Sequence, residues 1–140
     1  MVTVSVPARM RSLLILTAFG LASCAGDPAR VEENVFPTDY KKVILNIVMN
    51  NQSPDPTNIR EAGITDPALR PVDNVTRYVV CVRFNPRNEK HEYAGITERV
   101  AYFYQGHITQ FVQASRDQCS WAQYKPFPEL EKICLGDKCA

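Results

Sequence analysis

The chain has 140 residues, with 16 Lys and Arg against 15 Asp and Glu, so its formal net charge is only +1. Hydrophobic residues make up 45% of it, enough to build the core of one ordinary domain. This balanced charge argues against nucleic-acid binding, which needs a basic surface, and against an acidic solvating tail.

Residues 1–23 have the three parts of a secretory signal. Arg9 and Arg11 form a positive start, residues 13–21 form a short apolar centre, and small residues follow. As a helix, the apolar centre would extend roughly 14 Å, whereas the hydrocarbon core of a bilayer is about 30 Å thick. The segment therefore predicts a removable signal peptide and not a permanent transmembrane helix.

Residues 21–24 read Leu-Ala-Ser-Cys and resemble the lipobox of bacterial lipoprotein precursors. The resemblance implies cleavage just before Cys24 and a diacylglycerol on its sulfur, so that acyl chains such as palmitate anchor the mature chain in a membrane. Ala25 stands where an aspartate commonly retains such proteins in the inner membrane. The resemblance therefore favours the outer membrane, with the domain facing the periplasm. The alternative is an ordinary secretory signal in which Cys24 is incidental, because residues 23–25 also offer a small-x-small cleavage site.

Removal of the signal peptide leaves 117 residues, with 14 basic and 15 acidic side chains and a formal charge of −1. Residues 24–36 contain the cysteine and a small, polar stretch without apolar periodicity, which predicts a flexible tether. Residues 37–140 have the length of a single globular domain.

Four cysteines remain beyond Cys24: Cys81, Cys119, Cys134 and Cys139. An even number of cysteines in a chain that leaves the cytosol predicts disulfides, and three pairings are possible. We favour a Cys81–Cys119 bridge within the domain and a local Cys134–Cys139 clasp. A zinc site is disfavoured because the spacings lack paired C-x2-C knuckles.

The first predicted element is a helix that begins at Tyr40. Thr38 or Asp39 can cap its start, and apolar residues recur at helical spacing over the 11 residues that end at Asn50. The β-branched residues in this stretch also permit a buried strand. The capping signal and the length favour a helix, and one so apolar must be covered, most simply by one face of a sheet.

Residues 52–76 are interrupted by prolines and Asp-Pro steps, which favour turns and exclude a central strand position. They predict an exposed connection in which Ile59–Thr65 forms a short edge strand. Because irregular exposed segments often carry binding sites, this stretch is a candidate recognition loop; the alternative is a plain connection.

Residues 77–84 predict the clearest strand, because their apolar side chains alternate between two faces. One predicted face contains Tyr78, Val80, Val82 and Phe84, and the other contains Val79 and Cys81.

Residues 99–104 and 108–112 predict an antiparallel hairpin that turns at Gln105-Gly106. A two-residue turn would place Phe103 opposite Ile108 and Val100 opposite Phe111.

The last part of the domain predicts an extended, aromatic, proline-rich run at residues 124–128 and one helical turn at 129–133. Held by two disulfides, this tail should pack across the sheet. The alternative is that the run offers a docking surface, because extended proline segments bind at little ordering cost.

These elements together predict an α+β domain. Its N-terminal helix packs on a three- to four-stranded antiparallel sheet, and disulfides stabilise it.

The sequence offers no catalytic, cofactor-binding or metal-binding constellation. His91 and His107 lack partners at metal-ligand spacing and are predicted to face solvent. The chain has neither a G-x-S-x-G elbow nor a glycine-rich phosphate loop, and no carboxylates are paired for acid–base work. We therefore expect a protein that is not an enzyme and needs no cofactor.

The function favoured by these observations is a non-catalytic interaction or accessory module of an envelope complex, which binds another envelope protein and no nucleic acid. The mature domain resembles uncharacterised envelope lipoproteins of Gram-negative bacteria and, in outline, small accessory lipoproteins of outer-membrane assembly and secretion machinery; neither resemblance implies an activity. The alternative is a small-ligand or inhibitor domain, or a hydrolase with an unrecognised site. An apolar pocket near Tyr78, Tyr102 and Phe111 would favour the alternative, and an exposed apolar strip on a sheet edge would favour the module.

Overall fold

A computed structural model of the chain describes residues 34–52 and 55–133. The predicted signal peptide, the Cys24 anchor, most of the tether and the Cys134–Cys139 clasp lie outside these residues. No helix within the described ranges is long and apolar enough to cross a membrane.

The described residues fold around one antiparallel sheet of six strands. In chain order the strands are β1 (Asp55–Ile64), β2 (Ala68–Val72), β3 (Val75–Arg87), β4 (Thr97–Tyr104), β5 (His107–Gln113) and β6 (Lys125–Pro126). Their spatial order is β5-β4-β3-β1-β6, and β2 also pairs with β3. The helical segments are α1 (Tyr40–Ile47), a π-helical turn at Val48–Gln52 that continues it, and α2 (Pro128–Glu131).

The prediction of an α+β domain, with an N-terminal helix packed on three or four strands, is wrong. The domain is mostly β because stretches predicted as loop and tail form strands of their own. The helix α1 has eight residues and fully buries only Ile44, so it is not the sheet-covering layer that the apolar pattern predicted. Asp39 occupies the N-cap position, but its side chain makes no capping hydrogen bond.

The prediction of an exposed loop over residues 52–76 is also wrong. The strands β1 and β2 lie end to end along β3, with Ile64 opposite Val82 and Ala68 opposite Val79. The predicted edge strand is part of the longer β1, which lies between β3 and β6. The sheet tolerates Pro71 because β2 has a neighbour on one side only, where a missing N–H costs little.

The predicted alternation of β3 is confirmed, and it divides the core into two layers. A first layer contains Val80, Val82 and Phe84 of β3, with Tyr78 packed against it. A second layer on the opposite face contains Val79 and Cys81, together with Val100, Tyr102 and Cys119.

The predicted hairpin of β4 and β5 is present, and its turn is formed by Gln105 and Gly106, both at positive φ (51° and 78°). Two such residues define the type I′ turn that matches strand twist. Phe103 lies opposite Ile108, as predicted. The pairing of Val100 with Phe111 is wrong, because a β-bulge between Tyr102 and Phe103 shifts the register by one residue.

The C-terminal part of the described chain packs on the second face through Cys119, Trp121 and Tyr124, but the predicted tail does not simply lie across the sheet, because part of it forms the strand β6. Cys119 is bonded to Cys81 of β3, so the predicted Cys81–Cys119 disulfide is confirmed. The chain then pairs as β6 with the outer edge of β1. Phe127 and Leu130 follow and are buried in the first layer, so residues 114–133 contribute to both faces.

Candidate functional site

The strand β5 forms one edge of the sheet, and within the described ranges no strand pairs with its outer side. Its sequence, HITQFVQ, contains no Lys, Arg, Asp, Glu or Pro. Ile108 and Phe111 pack against the first layer, whereas Val112 on the other face is 41% exposed. An uncharged edge strand of seven residues presents a row of backbone donors and acceptors, together with apolar side chains, to a neighbouring chain.

The other free edges of the described sheet differ from β5 in being protected. The strand β2 contains Arg70 and Pro71, and β6 is only Lys125 and Pro126. Charges, prolines and short length are the usual devices that prevent edge-to-edge pairing. Only β5 lacks all three among the described edge strands.

A cavity of about 430 Å³ lies on the second face, between β2 and residues 117–121. Val79 and Tyr102 form its apolar floor, and Asp73 comes from the turn between β2 and β3. The other lining residues come from β2 and from the segment that the Cys81–Cys119 disulfide ties to the sheet: Arg70, Pro71, Val72, Asp117, Gln118, Ser120 and Trp121. Its volume is in the range of ordinary small-molecule sites.

Arg70 and Trp121 form one wall of this cavity. The Arg70 guanidinium lies over the indole ring, 4.2 Å from its centroid. The Arg70 Nε is buried and has no hydrogen-bond partner among the described residues. The indole N–H donates to the carbonyl oxygen of Gln118 at 2.8 Å, which fixes the ring that Arg70 stacks on.

The side chain of Tyr102 is almost fully buried beneath the cavity. Its hydroxyl oxygen accepts a hydrogen bond of 2.7 Å from Nε2 of Gln118. Burial, followed by the negative charge of Asp73, raises the pKa of Tyr102 further above neutral pH, where a phenol is protonated in any case. A protonated phenol keeps an O–H that can donate to a bound group.

A separate polar cluster surrounds Asp55 at the start of β1. One carboxylate oxygen of Asp55 accepts hydrogen bonds from the N–H and hydroxyl of Thr57, and the other lies 2.6 Å from Nη2 of Arg87. Nδ1 of His91 approaches that second oxygen at 3.3 Å. Burial alone would raise the pKa of Asp55, but these hydrogen bonds outweigh it and lower the pKa to about 2.

His91 and His107 are both exposed, as predicted. His91 is not isolated, however, because it belongs to the Asp55 cluster, a contact that the sequence analysis missed. The Asp-Pro-Thr spacing at residues 55–57 is a signal for the Asp55–Thr57 hydrogen bond of this cluster, because an Asp side chain often accepts from the N–H two residues on. It is no signal for His91.

Tyr102 lines the cavity, but Tyr78 and Phe111 pack against the first layer on the opposite face, so the structure does not bring these three residues together. The Arg70–Trp121 pair was missed because the two residues are far apart in the chain. No group of three or more His, Cys, Asp or Glu that could hold a metal ion occurs in the part of the chain that the structure describes.

Comparisons of the chain with protein-family models, with curated proteins and with solved structures found no match. The described domain has two candidate surfaces, the β5 edge and the cavity on the second face.

Proposed function

We propose that this protein is an envelope lipoprotein, anchored through Cys24 to the outer membrane, whose domain is a non-catalytic module that binds another envelope protein along β5. The observation that carries the proposal is that β5 is an edge strand without the charge, proline or short length that protects the other edges. The anchor rests on the lipobox resemblance of residues 21–24.

The partner suited to this edge is a protein with an extended segment that adds one strand to the sheet. Backbone hydrogen bonds would supply much of the affinity in such strand addition, and side-chain pairing would supply the specificity. Because Ile108 and Phe111 lie on one face of β5, the segment should present apolar side chains at alternate positions on that face.

Site-specific photo-crosslinking in intact cells tests the edge. A photoreactive amino acid at Gln110, an exposed position of β5, should crosslink a defined membrane-associated protein. The matched control places the same group at Leu69, which is 53% exposed on the protected strand β2. Equal capture of the same protein from both positions would contradict docking along β5.

Two further variants separate the edge from the anchor. Val112→Lys adds a charge to the edge and should abolish the crosslink from position 110 while the protein stays in the membrane fraction. Cys24→Ala should release the protein from the membrane fraction. Membrane retention of the Cys24→Ala protein would refute the anchor, and an unchanged crosslink in the Val112→Lys protein would refute the docking edge.

A further inference from the structure

The cavity on the second face is a candidate binding site that contains no residue of β5. We propose that it binds a small zwitterion with a free ammonium group and a free carboxylate, the chemistry of an amino acid or a short peptide with unblocked ends.

The first observation is that charges of both signs line this cavity without neutralising one another. Arg70 contributes a cation, and Asp73 and Asp117 contribute carboxylates near the rim. Among the described residues, Arg70 forms no ion pair with either aspartate. A guanidinium and carboxylates that share one cavity but remain apart leave room for a ligand that carries the complementary charges.

The second observation concerns the donors available to a carboxylate. The Nε of Arg70 is buried without a hydrogen-bond partner in the described chain, although a buried donor is normally satisfied. The hydroxyl of Tyr102 accepts from Gln118 and still has its own proton to donate. Arg70 can therefore bind a ligand carboxylate through charge-assisted hydrogen bonds, with Tyr102 on the floor as a second donor.

The signs of the lining charges disfavour a ligand that carries only one charge. A plain anion that reaches Arg70 would meet two carboxylates, and a plain cation drawn to Asp73 or Asp117 would meet the guanidinium. Removing a charged group from water is costly unless it is paired. A ligand with both charges can pair with Arg70 and with an aspartate of the rim at the same time.

The wall of the cavity is held in place before any ligand arrives. Trp121 is fixed by the hydrogen bond from its indole N–H to Gln118, and Cys119 fixes this segment to β3 through the disulfide. Arg70 is fixed by its stacking on Trp121 and by the pairing of β2 with β3. A preorganised wall reduces the ordering cost of binding.

Binding can be followed by fluorescence, because Trp121 is the only tryptophan of the chain, with calorimetry as a second readout. The probes are L-alanine, di-L-alanine and tri-L-alanine, and the matched controls are N-acetyl-L-alanine, which lacks the ammonium, and L-alaninamide, which lacks the carboxylate. At least one unblocked compound should bind the full chain, and blocking either end should weaken binding by about tenfold or more. The proposal is overturned if the blocked compounds bind as well as the unblocked ones, or if none of the unblocked compounds binds at concentrations up to about 10 mM.

Charge-removing variants give the sharper test. Arg70→Gln should weaken binding of the unblocked probe. It should also shift the preference between the two blocked compounds toward L-alaninamide, because the remaining carboxylates of Asp73 and Asp117 attract only an ammonium. Asp73→Asn should shift the preference toward N-acetyl-L-alanine, and asparagine suits the positive φ of this turn position (48°).

A fold defect would lower all affinities together and could not produce these opposite shifts. Arg83→Gln is the matched control, because Arg83 stacks on Tyr124 at 4.7 Å and does not line this cavity. It should leave both preferences unchanged. Parallel losses for all compounds in the Arg70 and Asp73 variants would overturn the proposal.

Discussion

The hydroxyl of Thr65 accepts the backbone N–H of Cys81 at 3.0 Å, and the N–H of Thr65 donates to the carbonyl of Cys81 at 3.0 Å. Thr65 lies in the gap between β1 and β2, and it is only 2% exposed. Its side chain thus satisfies a buried donor of the central strand where the ladder of backbone bonds is interrupted.

Thr65→Val should destabilise the domain, because valine keeps the shape but leaves the N–H of Cys81 without an acceptor. An unsatisfied buried donor costs about 1–3 kcal/mol, and chemical denaturation measures this loss. Thr65→Ser is the control: it keeps the hydroxyl and should recover most of the difference. If serine were no more stable than valine, this hydrogen bond would not be the cause.

Asp55 should make the domain sensitive to acid. Its pKa is lowered from 3.8 to about 2 in the folded chain. Ionisation of Asp55 therefore stabilises the folded state relative to the unfolded state. This contribution is fully present above about pH 4 and is lost as the pH falls through about 2. Denaturation curves between pH 6 and pH 2 should therefore show a loss of stability that is smaller in the Asp55→Asn protein.

Asp66→Asn is the matched control for this experiment. Asp66 also pairs with a cation, Lys125, but its side chain is 62% exposed, so solvent screens the pair. The acid dependence of this variant should follow that of the unmodified protein. The same flattening in both variants would show that Asp55 has no special part in acid stability.

Local pattern was enough to predict β3, the β4–β5 hairpin and the Cys81–Cys119 bridge. The alternation of β3 and the Gln105-Gly106 turn are signals from residues close in sequence. Four cysteines allow only three pairings, and the short spacing of Cys134 and Cys139 favoured the one that contains Cys81–Cys119. The shifted partner of Val100 shows the limit of this reasoning, because a bulge adds one residue to β5 without a mark in the apolar pattern.

The predicted fold class was wrong because the prolines of residues 52–76 were taken to exclude strands there. Proline excludes only positions whose N–H is needed, and edge positions such as Pro71 avoid that cost. The turn of Asp73 and Asn74, both at positive φ, is a hairpin signal that was overlooked. The cavity was beyond prediction because its wall joins Arg70 to Trp121 across a long stretch of chain.

Gly106→Ala should destabilise the β4–β5 hairpin. Gly106 has a φ of +78°, which a residue with a Cβ adopts at a cost of roughly 1–2 kcal/mol. The measurement is chemical denaturation, with Gly95→Ala as the control. Gly95 also has a positive φ, of 103°, but lies outside the hairpin, so its alanine variant should lower overall stability without affecting the edge. Because β5 is the proposed docking strand, only Gly106→Ala should also weaken the crosslink from Gln110; equal effects on the crosslink would contradict the hairpin's role.

Loss of the Cys81–Cys119 disulfide should lower the free energy of unfolding more than any of the single substitutions above. The two cysteines are 38 residues apart, and on the chain-entropy model closing such a loop stabilises the folded state by about 4 kcal/mol. The double variant Cys81→Ala with Cys119→Ala should unfold at lower denaturant and show altered Trp121 fluorescence while still folded, because the disulfide ties the cavity wall to β3. The control is Ser120→Ala, which changes an exposed residue of the same wall and leaves the bridge intact. A double variant with unchanged stability and an unchanged Trp121 spectrum would show that the wall is held by packing alone.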